Sequence, residues 1–257
     1  MTRVVWDGSV EDRAVERLER GGGIVVCPTK VGYIILASDR EGLERKFAAK
    51  GRARTKPGVV LCGSLEQLAE LAELTPEIAK FYRRHWEQDI LLGCILPWSE
   101  RGRGHLPDDG TSELVMDARG TSCFIVRFGT PGEQIARARW EHGRGLTFAS
   151  SANPSGQGNR GLVAGIGPRI AAAADLIIES DEYVSSIQPD ATLESRYEQG
   201  VMVSFVDAHG RLVPEQGAAR SVTPAPTVIR KGLDIDRIMM NLADCFGSWD
   251  YRHGEYY

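Results

Sequence analysis

GIVVCPTKVGYIILAS, residues 23–38, decides the fold class. Two short apolar runs, GIVVCP and YIILAS, flank a small polar turn. A strand with one wet face alternates apolar and polar residues; these runs do not, so each reads as a strand covered on both faces. The first is expected to stop at Pro28, which lacks a ladder donor. Strands buried on both sides need helices above and below them. The flanking sequence supplies these. Val10, Ala14, Val15 and Leu18 share a helical face, introduced by Ser9 with Asp12 as a capping box and ended by Gly21. On the other side Asp39 can cap REGLERKFAAK, with Gly51 as its stop.

The same alternation continues along the chain. GVVLC, DILLGCILP, SELVMD, SCFIVRF and GLTFAS read as strands. SLEQLAELAEL, TPEIAKFYRRHWE and TPGEQIARARWEHG read as helices, two of them with Pro at the first helical position. GPRIAAAADLIIES is a helix followed by a strand, and VMVSFVDAHGRLVP a hairpin-like pair around Ala208-His209-Gly210. The expected class is therefore α/β: a twisted, mixed, open sheet with helices. A Pro-rich bend near residues 215–226 suggests a main domain over residues 1–215. A C-terminal extension, 216–257, would follow: a strand, the amphipathic helix DIDRIMMNLADCF and a polar aromatic tail.

Composition narrows the function classes. The net charge of −4 over 257 residues gives no support to direct nucleic-acid binding. No stretch approaches the roughly 18 apolar residues of a membrane span. The five cysteines are scattered, odd in number and without C-x-x-C spacing, which fits reduced thiols in a cytoplasmic protein. The histidines show no metal-ligand spacing.

Three polar stretches exceed what packing requires: CPTKVGY (27–33), KGRARTK (50–56) and SSANPSG (150–156). Lys50, Arg52 and Arg54 alternate in an irregular segment; converging cations suit a polyphosphate, and a solvated loop at a helix C-terminus is the simpler alternative. Ser151 and Asn153 stand just past a strand, where open α/β sheets take ligands, although Asn-Pro-Ser-Gly is also ordinary turn chemistry.

The order of these motifs, PT with a tyrosine five residues after the proline, then K-x-R, then S-A-N-x-S-G, resembles the Sua5/YrdC/TsaC family of threonylcarbamoyl-AMP synthases. SFVD with Ser204, VIRKG with Arg230 and the strand FIVRF with Arg127 extend the resemblance over most of the chain. It implies a YrdC-like, mostly parallel sheet around a wide, positively lined cavity. It also implies an ATP- and bicarbonate-dependent reaction: an amine is carboxylated to a carbamate, whose oxygen attacks the α-phosphorus and expels pyrophosphate. In that family's terms Lys50 and Arg52 would be catalytic and clamp phosphates, with Mg2+ on the triphosphate. Arg127, Ser151, Asn153, Ser204 and Arg230 would bind nucleotide. Thr29, Lys30 and Tyr33 would face the acceptor.

The match departs from the family on the acceptor side. The family pattern P-T-E-T-x-Y-G-L-G becomes Pro28, Thr29, Lys30, Val31, Gly32, Tyr33, Ile34, Ile35, Leu36. Lysine replaces an acid, valine a hydroxyl, and aliphatics the two glycines. An acceptor amine or amino acid other than threonine is expected, with Lys30 reading an acidic group. A downstream transferase would consume the adenylate. Two alternatives stay open: a carbamoyl transferase using a pre-formed carbamoyl adenylate, and a non-catalytic nucleotide- or RNA-binding relative.

Overall fold

The computed structural model describes residues 2–51, 57–154, 156–217 and 219–254. Its strands are β1 (Thr2–Val5), β2 (Val25–Thr29), β3 (Gly32–Ala37), β4 (Val59–Leu61), β5 (Leu92–Pro97), β6 (Thr121–Val126), β7 (Phe148–Ser151), β8 (Leu176–Glu179), β9 (Val201–Ser204), β10 (Thr227–Arg230) and β11 (Asp250–Tyr251). Its helices are α1 (Asp12–Glu19), α2 (Arg40–Lys50), α3 (Leu65–Leu71), α4 (Pro76–Glu87), α5 (Glu100–Gly104), α6 (Ser112–Val115), α7 (Thr130–Gly143), α8 (Pro168–Ala173), α9 (Asp181–Ile187) and α10 (Ile235–Cys245).

All strands join one 11-stranded sheet in the order β1-β8-β2-β3-β7-β4-β6-β5-β9-β10-β11. The pairs β1–β8, β2–β8, β4–β6, β5–β9 and β10–β11 are parallel. The pairs β2–β3, β3–β7, β4–β7, β5–β6 and β9–β10 are antiparallel. The sheet is thus evenly mixed, not mostly parallel.

The two apolar runs form a hairpin, and Pro28 does not end its first strand. Pro28 pairs with Tyr33 inside the β2–β3 ladder. The two make a pair without mutual hydrogen bonds. The Tyr33 N–H turns outward to Asn159, and Lys30, two residues on from Pro28, donates its N–H away from β3 to the Phe128 carbonyl. The Pro28 nitrogen shares that outward side, where the pairing of β2 with β8 has already stopped at Val26. No ladder donor is needed there, which is how a sheet admits proline.

The helices divide the sheet unequally. On one face, residues of α2, α3, α4 and α10 pack with Val60, Leu92, Phe124, Val203 and Val228, and Ile170 and Val184 of α8 and α9 pack with Val26, Ile35 and Ile177. On the other face, α1 and α7 pack through Val15, Leu18, Ile135 and Ala136 on Val25, Cys27, Leu36 and Leu176. That second cover reaches only one end of the sheet.

Several local expectations change. SELVMD is the short helix α6, not a strand, with Leu114 and Val115 both buried. α1 starts after Glu11 with no side-chain cap, while Ser9 Oγ donates to Asp7. Asp39 caps α2 as expected, accepting the Gly42 N–H, and Ser64 and Thr75 cap α3 and α4 by accepting from Gln67 and Ile78. Among the described residues no helix is long and apolar enough to cross a membrane, and the five cysteines are free.

Candidate active site

The part of the sheet face that α1 and α7 leave uncovered is the floor of a cleft of about 650 Å3. Sheet register lays Leu61, Ile125, Gly93, Met202 and Arg230 side by side across β4, β6, β5, β9 and β10. Gly93 leaves a dent in this row. A Cβ there would stand 3.0 Å from Cys123 Sγ and 3.3 Å from Ile125 Cγ1. The walls come from the hairpin tip, from residues 150–153 and 156–159 and from residues 196–200.

Behind the polar wall, Lys50 from one of the stretches picked out in the sequence meets Ser151 of another. The last turn of α2 sends Lys50 to the end of β7, where its ammonium donates to the Ser151 carbonyl and to Ser151 Oγ at 3.1 Å. Lys50 is therefore buried, at 5% exposure, behind Ser151, and is not itself among the described residues that line the cleft. Ser151 is exposed and lines the cleft, as does Asn153. The Asn153 amide donates to the carbonyls of Pro154 and Gln157, so half of that side chain shapes its own turn. Arg52, with Arg54 and Lys56, lies outside the described residues.

At the far end, Arg230 lines the cleft and its Nε donates to the Gly200 carbonyl at 2.9 Å. Arg196 lines it too; burial lowers its pKa, and Glu198 acts in the opposite direction. Ser204 does not join the lining. Its hydroxyl closes the turn onto Val206 at 3.4 Å. The charged side chains among the described lining residues are thus Arg196, Arg230 and Glu198; most of the remaining wall is apolar or small.

The hairpin wall differs from expectation. Thr29, Val31, Tyr33 and Ile34 line the cleft, but Lys30 does not. The Lys30 ammonium is drawn to the C-terminal end of α4, where it meets the Asp89 carbonyl at 2.5 Å and Asp89 Oδ1 at 2.7 Å. Arg127 also fails to reach the cleft. It sits at φ 54° just past β6. Its guanidinium lies 4.0 Å from the Trp86 ring centroid, with Glu133 at 3.5 Å and Asp89 at 3.6 Å. Both cations are spent fastening the hairpin tip and β6 to the end of α4. Of the family departures, Val31 and Ile34 face the cleft, whereas Leu36 packs in the core under α1 and α7.

Sequence reasoning missed Asn159. This buried amide donates to the Tyr33 carbonyl at 2.9 Å and the Ala152 carbonyl at 3.3 Å. Its oxygen accepts from Tyr33 N at 3.3 Å and Gly161 N at 3.1 Å. It pins the cleft's polar wall onto β3. Gly32 makes room for it: at φ +127°, a Cβ would lie 2.2 Å from Asn159 Oδ1. The only sequence signal was a run of glycines and amides, GQGNRG, with no periodicity.

A family model named Sua5_yciO_yrdC, described as "Telomere recombination", matches residues 17–199. The chain belongs to this family. Over 84 residues it is 37% identical to the threonylcarbamoyl-AMP synthase of Pyrococcus abyssi (strain GE5 / Orsay), a match that covers 32% of this chain and only 24% of the length of that curated relative. A crystal structure of a hypothetical protein from Streptococcus mutans UA159 is 59% identical, with a TM-score of 0.95 over 100% of this chain and 99% of that one. The P. abyssi Sua5 structure in complex with L-threonine shares the fold, with a TM-score of 0.61 at 21% identity over 98% of this chain and 67% of that one.

For this family member a resident metal does not fit the described residues. No group of three or more His, Cys, Asp or Glu side chains among them could hold one. Glu198, the carboxylate of the described lining, already accepts the Arg160 N–H.

Proposed function

We propose that the protein forms a carbamoyl adenylate from ATP, bicarbonate and an amine, releasing pyrophosphate, as a threonylcarbamoyl-AMP synthase-like nucleotidyltransferase. The observation that carries this reading is the Lys50–Ser151 contact at the rim of a cleft large enough for a nucleotide. It sets Lys50, the first residue of the K-x-R stretch, against Ser151 of the S-A-N stretch.

The chemistry asks for little covalent help. A carbamate oxygen forms a bond to the α-phosphorus, and the bond from that phosphorus to the pyrophosphate oxygen breaks. Charge builds on the leaving pyrophosphate, so fixed cations and N–H donors are what accelerate the step. Lys50 supplies such a cation, and Arg52, in the segment that follows it, a second. Arg230 and Arg196 add positive charge to the lining. Ser151 and Asn153 offer short hydrogen-bonding groups that let a nucleotide approach the sheet edge closely. Magnesium enters on the triphosphate as part of the substrate, consistent with its preference for phosphate oxygens and water. Thr29 and Tyr33 mark the wall that meets the amine, and a separate transferase consumes the adenylate.

The test is pyrophosphate release by the purified protein. Release should require ATP, bicarbonate and an amine together and should fall by roughly a hundredfold or more in Lys50→Ala, the usual loss for a charge-stabilising group. Release that is independent of bicarbonate would contradict the reading.

A further inference from the structure

The hairpin wall of the cleft carries polar residues in the sequence, yet their polar atoms are bonded to the protein. The Thr29 hydroxyl donates to the Gly32 carbonyl at 2.7 Å and accepts the Val31 N–H at 3.3 Å. The Tyr33 hydroxyl donates to Asp181 Oδ1 at 2.6 Å and accepts the Ser180 N–H at 3.0 Å, on the sheet face opposite the cleft. Burial, then the bond to Asp181, raises its pKa and keeps it neutral. Lys30 is held by Asp89, and Arg127 by Trp86, Asp89 and Glu133.

What remains facing the cleft at this end is Val31 and Ile34 from the hairpin, with Leu91 and Phe128 beside them. These four belong to one packed apolar cluster. The charged groups of the described lining are also bonded to the protein: Arg196 donates to the Val184 carbonyl, Arg230 donates to the Gly200 carbonyl, and Glu198 accepts the Arg160 N–H.

We infer that the acceptor is an amine or amino acid with a compact, apolar, uncharged side chain, seated against Val31, Ile34, Leu91 and Phe128. This rests on the synthase reading above. A side-chain hydroxyl placed against these four side chains would leave water without gaining a partner from them, and a side-chain carboxylate would lose its hydration there in the same way. Sites of this kind disfavour the polar member of an isosteric pair. Valine and threonine are such a pair: the same branching, methyl against hydroxyl.

The experiment compares kcat/KM for pyrophosphate release, with ATP and bicarbonate saturating, for L-valine, L-isoleucine, L-threonine and L-aspartate. It is run on the wild type and on Val31→Thr. Calorimetric binding of each amino acid in the absence of ATP is measured in parallel. The expected result is an aliphatic amino acid ahead of threonine by about tenfold or more, with aspartate lowest and the valine-to-threonine ratio falling in Val31→Thr. Preference for threonine or aspartate, in turnover or in binding, overturns this inference while leaving the synthase reading intact. No bicarbonate-dependent release with any amine overturns the synthase reading, and the inference with it.

Discussion

The Lys50 ammonium meets Ser151 across 101 residues of chain, donating to its backbone carbonyl and, at 3.1 Å, to its hydroxyl. The contact fixes the end of α2 against the end of β7 at the rim of the cleft. At 5% exposure Lys50 is a structural strut, and the proposed reaction also makes it the candidate phosphate cation. Ser151→Ala removes one of the two acceptors and keeps the other. It should therefore cost about tenfold in pyrophosphate release, well short of Lys50→Ala, in line with one hydrogen bond to a charged group. Parallel kinetics of the two variants check the order; an equal loss would mean the hydroxyl and not the ammonium is the essential partner.

Lys30 gives the opposite expectation. Its ammonium is buried against Asp89, whose own side chain is 66% exposed, so the pair is only half shielded from water. Lys30→Met should lower stability by about 1–2 kcal/mol, between the values for exposed and buried pairs. The ranking of acceptors should not change. A shift in acceptor ranking in Lys30→Met, with stability intact, would return Lys30 to the cleft.

Asn159 and Gly32 should act as a unit. Asn159→Ala leaves the Tyr33 and Ala152 carbonyls short of a donor, a loss of about 1–3 kcal/mol. Gly32→Ala forces the same amide aside and strains a positive-φ position, so it should be at least as damaging. Chemical denaturation of the single and double variants checks this. The double variant should lose clearly less than the sum of the two.

His85 sets a pH dependence. Its Nδ1 donates to the Phe81 carbonyl at 2.7 Å, and its Nε2 faces the Asn241 amide at 3.2 Å. Burial, the largest cause, lowers its pKa from 6.5 to about 4. The folded state binds the proton less well than the unfolded chain, so the stabilisation is complete above pH 6.5 and falls away as pH drops toward 4. The full effect is up to about 3 kcal/mol. Denaturation midpoints of wild type and His85→Gln between pH 7 and pH 4 should converge as pH falls, over and above the slope both share from carboxylates.

Much of this was legible in the chain, and the failures have physical causes. The two apolar runs of 23–38 announced covered strands because strands buried on both faces have no polar alternation. SELVMD misled because four residues cannot separate a helical period from a strand period, and Leu114 and Val115 are buried in either case. β1 left no signal: it is an edge strand with Val5 78% exposed. At the site, residue type picked out Ser151 and Arg230, which line the cleft, and Lys50, which lies behind Ser151. It could not tell which way Lys30 and Arg127 leave the backbone. That depends on Asp89, at φ 53°, and on the end of α4, neither of which is near them in sequence.

The central claim is that the cleft joins bicarbonate carbon and AMP in one product. The direct measurement is mass spectrometry of the nucleotides formed from ATP, isotopically labelled bicarbonate and L-valine or L-isoleucine. The account predicts an adenylate carrying the label, formed together with pyrophosphate and strongly diminished in Lys50→Ala. Nucleotide products without label from any amine tested, by protein that demonstrably binds ATP, would contradict it.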